Sequence, residues 1–395
     1  MAGAGRRVRP APHRLGGQRR PYPTNAGGVA PGSELLHPRG RCRVKLFLQP
    51  EDVWLFRDGR PFAAGGNYRA RSLFPPLPST VQGMLRSHHL LAVCRNIPLN
   101  DKQAIRDAVG DATNFPAGFR LRGPFVAREE GEGATRRIWR YFPLPEDATG
   151  KDGTFRALAP APPGDGVRTS CPTPWLLQEQ ELAKREGEWW LREDELLKYL
   201  DGDTAHAVPG DQLYLRESRL GFAQDAARRT VVEGMLFEVE YIRPCEGVGL
   251  YVEVEGLEGW PTQGALAAGG ERRAARFRQV EAEPLPLQPL PQRFKLYLAT
   301  PTFFDRGWQP GDWGRFFSGP TPALRAAAIG RYQSLGGFDL AADPNDARAH
   351  KAARRYVPAG SVYFFESQGP ARLKADTLSD DPAPIGWGQF LVGTW

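Results

Sequence analysis

The segment SLFPPLPSTVQGMLR, residues 72–86, places three prolines directly in front of a helical pattern. Proline fixes its own backbone and disfavours a helical conformation in the residue before it, so this segment predicts a rigid corner followed at once by a helix. Ser79 is the predicted N-cap of the helix TVQGMLRSHHLLAV. A helix start carries unpaired N–H groups, so a corner that fixes it could present an anion site.

Composition limits the fold to short elements. The chain has 395 residues, of which 45 are glycine and 37 are proline, and these predict many turns and loops. Its length favours two domains rather than one. Hydrophobic residues make up 41% and charged residues 25%, as in soluble globular proteins. No apolar run approaches the ~18 residues of a membrane span, so no membrane partner is predicted.

The positive charge is concentrated at one end. The formal net charge is +7, but residues 1–43 contain nine arginines and a single acid, Glu34, so the remaining 352 residues carry −1. Residues 1–43 have the composition of a disordered tail, and a nucleic-acid-binding arm is the alternative. Nucleic-acid binding by the folded part must therefore be argued from local patches.

The sequence offers no motif for a metal or a cofactor. The four cysteines are far apart and form no CxxC, so neither a disulfide framework nor a zinc site is predicted, and a reducing cytoplasm fits. GGFDLAADPNDA lacks the closing glutamate of a calcium loop and predicts instead a turn and helix start at Asp343-Pro344. Phosphate-loop, nucleophile-elbow and dinucleotide fingerprints are absent from supporting contexts.

Strand and helix patterns alternate along the chain. Strands are predicted for VKLFLQ, VWLFRDG and residues 119–128, 137–144, 212–222, 235–243 and 248–255. Residues 145–190 are loop-rich, and LREDELLKYLDG predicts a short helix that ends near Gly202. The proline-rich segment 283–292 predicts a stiff connector. Beyond it we expect the strand RFKLYLATPTFF, a helix PALRAAAIGRYQSL capped by Thr321, and the strands SVYFFES and GQFLVGTW.

Six ordered blocks resemble one protein family. They are DVWLFRDGRPF, SLFPPLPSTVQGMLR, ESRLGFAQDAARRTVVEGMLFEVEYIR, GGERRAA, ARRYVPAGSVYFFE and GWGQFLVGTW. From about Val44 to Trp395 the chain resembles the third Cmr subunit of type III-B CRISPR effector complexes, in the RAMP superfamily. The match is weakest over residues 145–205.

The resemblance implies an α+β fold with two ferredoxin-like (RRM-like) domains and antiparallel sheets. The first would cover residues 44–282, with an insertion at 145–205 and a thumb-like hairpin at 212–243; the second would cover 293–395. The resemblance also implies a non-catalytic subunit that holds the 5′ tag of the CRISPR RNA and docks on the large polymerase/cyclase subunit. Backbone RAMP subunits would be further partners, and target RNA would be contacted indirectly.

Arginines and glycines in predicted loops are the expected RNA contacts. Arginines neutralise phosphates, and glycine lets a backbone approach a phosphodiester chain closely. The expected RNA-binding residues are Arg69, Arg71, Ser79, Thr80, Gln82, Arg86, Arg219, Arg228, Arg229, Gly269, Gly270, Arg272, Arg273, Arg354, Arg355, Gly386 and Gly388. Arg276 and Arg278 continue the basic run at 266–280, and Tyr68, Phe222 and Trp387 are candidates for base stacking.

Each of these patterns also has an ordinary structural explanation. Ser79 could be a plain N-cap beside solvated arginines, and residues 266–280 could form a tight turn before a basic edge strand. Gly386 and Gly388 could flank a turn with Trp387 in the core, Arg354 and Arg355 could lie at a helix end, and residues 212–243 could be an ordinary surface hairpin.

Two other function classes remain open from the sequence. A metal-independent RNA-processing endoribonuclease would need a histidine as general acid and base, and the neighbours His88 and His89 lie near the first helix, where related enzymes have theirs. His88 falls on the apolar face, however, which predicts a buried structural role. A purely protein-binding adaptor is the third class.

Overall fold

The computed structural model describes residues 43–59, 68–98, 100–111, 114–179, 186–225, 227–286, 289–338 and 350–395. These residues contain the helices α1 (Pro78–His88), α2 (Lys102–Val109) and α3 (Glu193–Leu200), and a π-helical turn, His89–Val93, continues α1. None of the described helices is long and apolar enough to cross a membrane. The predicted tail, apart from Arg43, and the turn expected at Asp343-Pro344 lie outside the described residues.

Strands dominate the described chain. They are β1 (Arg43–Pro50), β2 (Arg69–Ala70), β3 (Arg120–Glu130), β4 (Arg137–Pro143), β5 (Ala148–Lys151), β6 (Thr154–Ala157), β7 (Pro160–Ala161), β8 (Leu176–Leu177), β9 (Trp189–Arg192), β10 (Ala205–Pro209), β11 (Tyr214–Gln224), β12 (Val231–Pro244), β13 (Val248–Glu255), β14 (Gln263–Ala267), β15 (Ala274–Gln279), β16 (Arg293–Leu298), β17 (Thr302–Phe303), β18 (Phe317–Ser318), β19 (Ala323–Ala328), β20 (Gln333–Phe338), β21 (His350–Val357), β22 (Val362–Glu366), β23 (Arg372–Leu373) and β24 (Phe390–Thr394).

The largest sheet has ten strands in the order β14-β15-β1-β13-β3-β4-β9-β10-β6-β5. Its registered strand pairs are antiparallel. Strand β13 is buried at all eight positions because it lies between β1 and β3 and both of its faces are covered. Continuous burial, rather than alternation, is expected of such a central strand.

A second antiparallel sheet, β19-β22-β16-β24, is built from the C-terminal part of the chain. One apolar cluster joins the two sheets, with Phe47 and Tyr251 from the first beside Tyr297 and Phe364 from the second. Residues 41–395 form one compact unit. Mostly antiparallel sheets with few helices agree with the predicted α+β class, while the division into two ferredoxin-like domains stays a prediction.

Strands β11 and β12 form the long hairpin that the sequence predicts. Their register runs from Tyr214 opposite Pro244 to Phe222 opposite Leu236, and β2 joins β12 in parallel. The distal half is exposed: Leu220 retains 73% of its accessible surface and Phe222 retains 55%. The distal half therefore extends away from the core.

Residues 322–335, predicted to be helical, instead form β19 and the beginning of β20. Ala326 and Ala327 lie opposite Phe364 and Tyr363 of β22, where small side chains leave room for the aromatic rings. Alanine's helix preference is worth less than about 1 kcal/mol per residue, so burial of an aromatic strand outweighs it. Arg354 and Arg355 also lie within a strand, β21, which pairs with β20, and not at a helix end.

Two smaller predictions also change. The N-cap of α1 is Leu77 rather than Ser79, because Pro78 occupies the first helical position, which needs no N–H partner. The segment VWLFRDG forms only isolated bridges, at Trp54, Leu55 and Arg57. Within 145–190 the chain forms the short strands β5 to β8 in addition to loops.

A buried ion pair connects the two main sheets. Lys295 Nζ of β16 lies 3.2 Å from Asp147 Oδ2, just before β5, and neither side chain is more than 1% exposed. The Tyr199 hydroxyl of α3 donates to Asp147 Oδ1 at 2.8 Å. Lys295 Nζ also lies 4.4 Å from the centroid of the Tyr199 ring. Buried charges persist only when partners satisfy them, so these contacts restrict how the sheets can pack.

We expect Lys295→Met to destabilise the protein by about 3–5 kcal/mol, because Asp147 would keep a buried charge without a counterion. Urea unfolding followed by tryptophan fluorescence measures the change. Adding Asp147→Asn should restore part of the loss, since it removes the stranded charge. Lys198→Met is the control, because its pair with Glu195 is at the surface. Equal losses of unfolding free energy in Lys198→Met and Lys295→Met would contradict a special role for the buried pair.

Candidate nucleic-acid interface

The proline corner is held against the base of the β11–β12 hairpin. The Phe74 ring centroid lies 4.5 Å from that of Tyr214 and 5.8 Å from that of Trp54. Ser72 Oγ donates a hydrogen bond of 2.7 Å to the carbonyl oxygen of Glu240. The start of α1 is therefore fixed relative to the hairpin.

A cavity of about 440 Å³ opens at the start of α1. Its walls come from the proline corner, β3, β4, Trp189 and Trp190, and they present polar and apolar surface in similar amounts. Glu146, Glu188 and Gln333 supply polar groups, and no lysine or arginine is among the lining residues. These surroundings suit an apolar or hydrogen-bonding group better than a phosphate.

The polar side chains early in α1 are partly occupied by the helix itself. Ser79 and Thr80 lie in its first turn and are half-buried. Gln82 Nε2 donates to the Ser79 carbonyl oxygen at 3.0 Å, and Gln82 Oε1 accepts from Arg86 at 2.8 Å. Arg86 also donates to two carbonyl oxygens at and after the end of α2, at 2.5 and 2.8 Å. Arg86 therefore ties α1 to α2, with one hydrogen bond on each of its three nitrogens.

A neutral cluster of charged side chains fixes the hairpin base. This ion cluster consists of Asp52, Glu217, Glu271, Arg219, Arg243 and Arg273. Arg219 lies 3.3 Å from Asp52 and 2.6 Å from Glu217, and Arg273 lies 3.6 Å from Asp52. Both arginines stack on the Tyr241 ring, at 4.7 and 4.8 Å from its centroid. Arg219 and Arg273 were predicted to bind RNA, but their charges are compensated by carboxylates of the protein.

One carboxylate of the ion cluster, Glu217, is held ionised by its arginine partners. Hydrogen bonds from Arg243 and Arg219 lower the pKa of Glu217. Arg69, which also belongs to the predicted RNA contacts, lies outside this cluster and pairs with Glu238 of β12 at 3.3 Å.

The hairpin tip carries two exposed arginines, Arg228 and Arg229. Asp225 shapes the turn by accepting from the backbone N–H of Arg228 at 2.9 Å, and the Gln224 side chain donates to the carbonyl oxygen of Arg229 at 2.9 Å. Within the described residues neither guanidinium has an acidic partner. The tip therefore presents two uncompensated positive charges.

The glycines at 269 and 270 are required by the fold itself. Gly269 has a φ of +85°, and a Cβ there would collide with the backbone oxygen of Leu55. Gly270 N–H donates to the same oxygen at 2.8 Å. Arg272, in the same turn, is exposed and has no acidic partner in the described part of the chain.

The basic strand after this turn is not a sheet edge. Strand β15 lies between β14 and β1. Arg276 pairs with Glu51 at 2.7 Å, and Arg278 pairs with Glu129. These two arginines are therefore compensated.

The C-terminal glycines also serve packing. Gly386 and Gly388 have φ values of +97° and +65°, and a Cβ at either position would collide with a backbone oxygen of another segment. Trp387 between them is buried, and its ring centroid lies 4.7 Å from that of Tyr356. The arrangement matches a turn with its tryptophan in the core.

Strand β21 presents Arg354 and Arg355 to solvent. The guanidinium carbon of Arg354 lies 4.9 Å from the Phe303 ring centroid, and that of Arg355 lies 4.9 Å from the Tyr332 centroid. Among the described residues neither arginine has an acidic partner.

The ten arginines predicted to contact RNA thus fall into two groups. Arg69, Arg86, Arg219 and Arg273 are engaged by carboxylates or carbonyl oxygens. An uncompensated set is exposed, with no acidic partner among the described residues: Arg71, Arg228, Arg229, Arg272, Arg354 and Arg355.

Sequence reasoning missed Arg331 and Tyr332. Both are exposed, and Arg331 has no acidic partner in the described part of the chain. They fall inside the segment predicted to be a helix, where they would be two ordinary solvent-exposed side chains. Adjacent arginine and tyrosine before a strand would have been a useful signal.

The two histidines lie in an apolar setting. His88 stacks 5.0 Å from both Trp260 and Phe277, centroid to centroid, and His89 is the more buried of the pair. The prediction had their burial reversed, because the chain turns π-helical at His89 and the helical period shifts. Within the residues that the structure describes, His88 Nε2 and His89 Nδ1 have no hydrogen-bond partner. No group of acids, histidines or cysteines in the described residues is placed to hold a metal ion.

Comparison with known proteins gives one family. Residues 46–395 match the model of the family described as CRISPR-associated protein (Cas_Cmr3). No curated protein sequence matches. Among solved structures, a chain of the cryo-EM structure of the Type III-B Cmr-beta bound to cognate target RNA and AMPPnP, state 1, is 15% identical, with a TM-score of 0.44 and coverage of 81% of this chain and 86% of that chain. A chain of the Cmr-beta structure bound to cognate target RNA alone is also 15% identical, with a TM-score of 0.43 and the same coverage.

Acid should destabilise the protein through His88 and His89. Burial lowers the pKa of both imidazoles below the ordinary value of 6.5, so the unfolded chain binds protons more readily than the folded protein. The stability is intact above about pH 6.5 and falls as the pH drops below that value. The free energy of unfolding, measured between about pH 7 and about pH 5, should show this loss, and a His88→Leu, His89→Leu variant should show a flatter profile. Identical pH profiles of stability for wild type and this variant would show that the two histidines do not cause the loss.

Proposed function

This chain belongs to the Cas_Cmr3 family of CRISPR-associated proteins, and we propose that it is a non-catalytic RNA-binding subunit of a type III-B effector complex. In that role it holds the 5′ tag of the CRISPR RNA and docks on the large polymerase/cyclase subunit beside the backbone RAMP subunits. Target RNA is contacted indirectly, through the assembled complex.

The uncompensated set of arginines carries this proposal. Residues 44–395 have almost no net charge, and many of their arginines pair with carboxylates. Arginines that lack such partners keep their full attraction for phosphate. Phosphate contacts fix the register of an RNA, which a subunit that holds a tag requires.

The β11–β12 hairpin supports a thumb that reaches along the RNA. The ion cluster and the proline corner fix its base, while its distal half is free of the core. A fixed base lets the tip hold a position, and Arg228 and Arg229 place positive charge at that tip. The exposed apolar side chains Leu220, Phe222 and Leu236 add a surface for a neighbouring chain or for bases.

The histidine environment favours a scaffold over a nuclease. A general acid or base needs a partner within hydrogen-bond reach and a pKa near the working pH. His88 and His89 pack against aromatic rings, and burial lowers both pKa values. Endoribonuclease activity is therefore the alternative that this proposal sets aside.

Two ferredoxin-like domains, at 44–282 and 293–395, belong to the same proposal. Its support is that the ten-stranded sheet uses only residues 43–279 and the four-stranded sheet only residues 293–394. A cytoplasmic location is proposed as well, and it is supported by the free thiols of Cys94, Cys171 and Cys245.

Purification of the assembled complex through this subunit tests the proposal directly. The co-purified RNA should contain one shared sequence at its 5′ end, since a constant tag is what the subunit holds. Sequencing of that RNA provides the readout. Protein partners recovered without RNA, or RNA with random 5′ ends, would instead favour the adaptor class.

The hairpin tip should contribute to RNA affinity. Arg228→Ala with Arg229→Ala should weaken CRISPR RNA binding. The slope of log affinity against log salt concentration should fall in magnitude by about 0.7 per lost phosphate contact. Footprinting should change at the junction of tag and guide. Arg276→Ala with Arg293→Ala removes the same charge from compensated positions and is the matched control. An unchanged footprint and affinity in the tip variant would exclude the hairpin from the RNA site.

Loss of the histidines should leave RNA chemistry unchanged. A His88→Ala, His89→Ala variant should still support RNA-guided target cleavage once assembled. Incubation of the purified wild-type subunit with precursor CRISPR RNA provides the complementary assay. Specific cleavage that disappears in this variant would establish the nuclease.

A further inference from the structure

Cations stacked on aromatic rings in this protein are usually paired with a carboxylate as well. Arg293 stacks on Trp395 and pairs with Glu366 at 3.1 Å. Every other ring-stacked cation of the described residues has an acidic partner, except Arg86, Arg354 and Arg355. Arg86 gives its donors to carbonyl oxygens, so Arg354 and Arg355 are the exceptions that need an explanation.

Strand β21 holds these two arginines in place. It is the central strand of the sheet β17-β21-β20, where Arg355 lies opposite Ser334 and Arg354 opposite Leu335. Successive residues of a strand point to opposite faces, and accordingly Arg354 stacks on Phe303 and Arg355 on Tyr332. Each guanidinium is positioned by a ring, while its N–H edge is left without a carboxylate.

Tyr332 is the ring with open surface. It retains 54% of its accessible area, and its neighbour Arg331 is also exposed without an acidic partner in the described residues. Arg355 lies 4.9 Å from the ring centroid, and about half of the Tyr332 surface stays exposed beside it. An open aromatic face beside unpaired arginines has the chemistry of a single-stranded nucleic-acid site, where bases stack and cations hold phosphates.

We infer that Tyr332 is a stacking platform for one unpaired RNA base, with Arg355 holding a neighbouring phosphate. This inference rests on the proposed RNA-binding function and adds a subsite at β20–β21, apart from the hairpin tip. Every base has a π-face, so the platform accepts any base and reads no sequence.

Binding of full-length protein to two synthetic ligands separates the roles of ring and charge. One ligand is single-stranded oligoadenosine RNA, and the other is a base-free ribose phosphate of equal length. Tyr332→Ala should weaken binding of the RNA roughly five- to 150-fold and leave the base-free ligand unaffected. Tyr332→Phe should bind like wild type, because it keeps the ring.

Arg355→Gln tests the role of charge. It should reduce the slope of log affinity against log salt concentration by about 0.7 per lost phosphate contact for both ligands, whereas Tyr332→Ala should leave that slope unchanged. Arg293→Gln is the matched control, since its guanidinium is stacked but neutralised, and it should change neither ligand's affinity. Equal binding of RNA by wild type and Tyr332→Ala would overturn the platform alone. An equal loss of affinity for both ligands in Tyr332→Ala would also overturn the platform. That result would instead favour binding of an acidic protein surface at this site. If wild type binds no RNA, the proposed RNA-binding function itself is contradicted.

Discussion

The ion pair between Lys295 and Asp147 is the constraint on which the arrangement of the two main sheets depends. Apolar contacts between the sheets are not directional, so they would tolerate several packings. A buried ammonium and carboxylate are stable only where they meet, and the Tyr199 hydroxyl adds a third fixed contact from α3. The C-terminal four-stranded sheet is therefore fixed relative to the ten-stranded sheet.

Charge compensation divides the arginines of this surface into two kinds. In the ion cluster three arginines meet three acids, and that neutrality positions the hairpin base without leaving a strong local field. At the hairpin tip and in β21, by contrast, arginines lack acidic partners within the described residues. Net charge conceals this difference, because the folded part carries −1. The same residue type thus serves as a structural brace in one place and as a candidate phosphate ligand in another.

The elements with strong local patterns were predictable, and those decided by distant partners were not. The hairpin follows from alternating residues that flank a polar link, and α3 follows from its periodicity and Gly202. The segment 322–335 was misassigned because its alanines favour a helix locally, whereas aromatic residues some forty positions later require a strand. Arg219 has one partner close in sequence, Glu217, but its second partner, Asp52, lies 167 residues away, so its full compensation could not be recognised. Glycines at 269, 386 and 388 were predicted to permit a close approach of RNA, and in the structure each permits a close approach of another segment of the chain itself.

The central claim is that RNA is held by arginines without acidic partners. Two charge-matched variants of the full-length chain test it: Arg228, Arg229, Arg354 and Arg355 all changed to glutamine, and Arg69, Arg219, Arg276 and Arg293 all changed to glutamine. Single-stranded RNA affinity is measured against salt for each, after unfolding curves show that both are folded. The account predicts that the first variant loses up to roughly 3 units of log–log salt slope, at about 0.7 per contact, and that the second keeps the wild-type slope. Equal slopes in the two variants would contradict it.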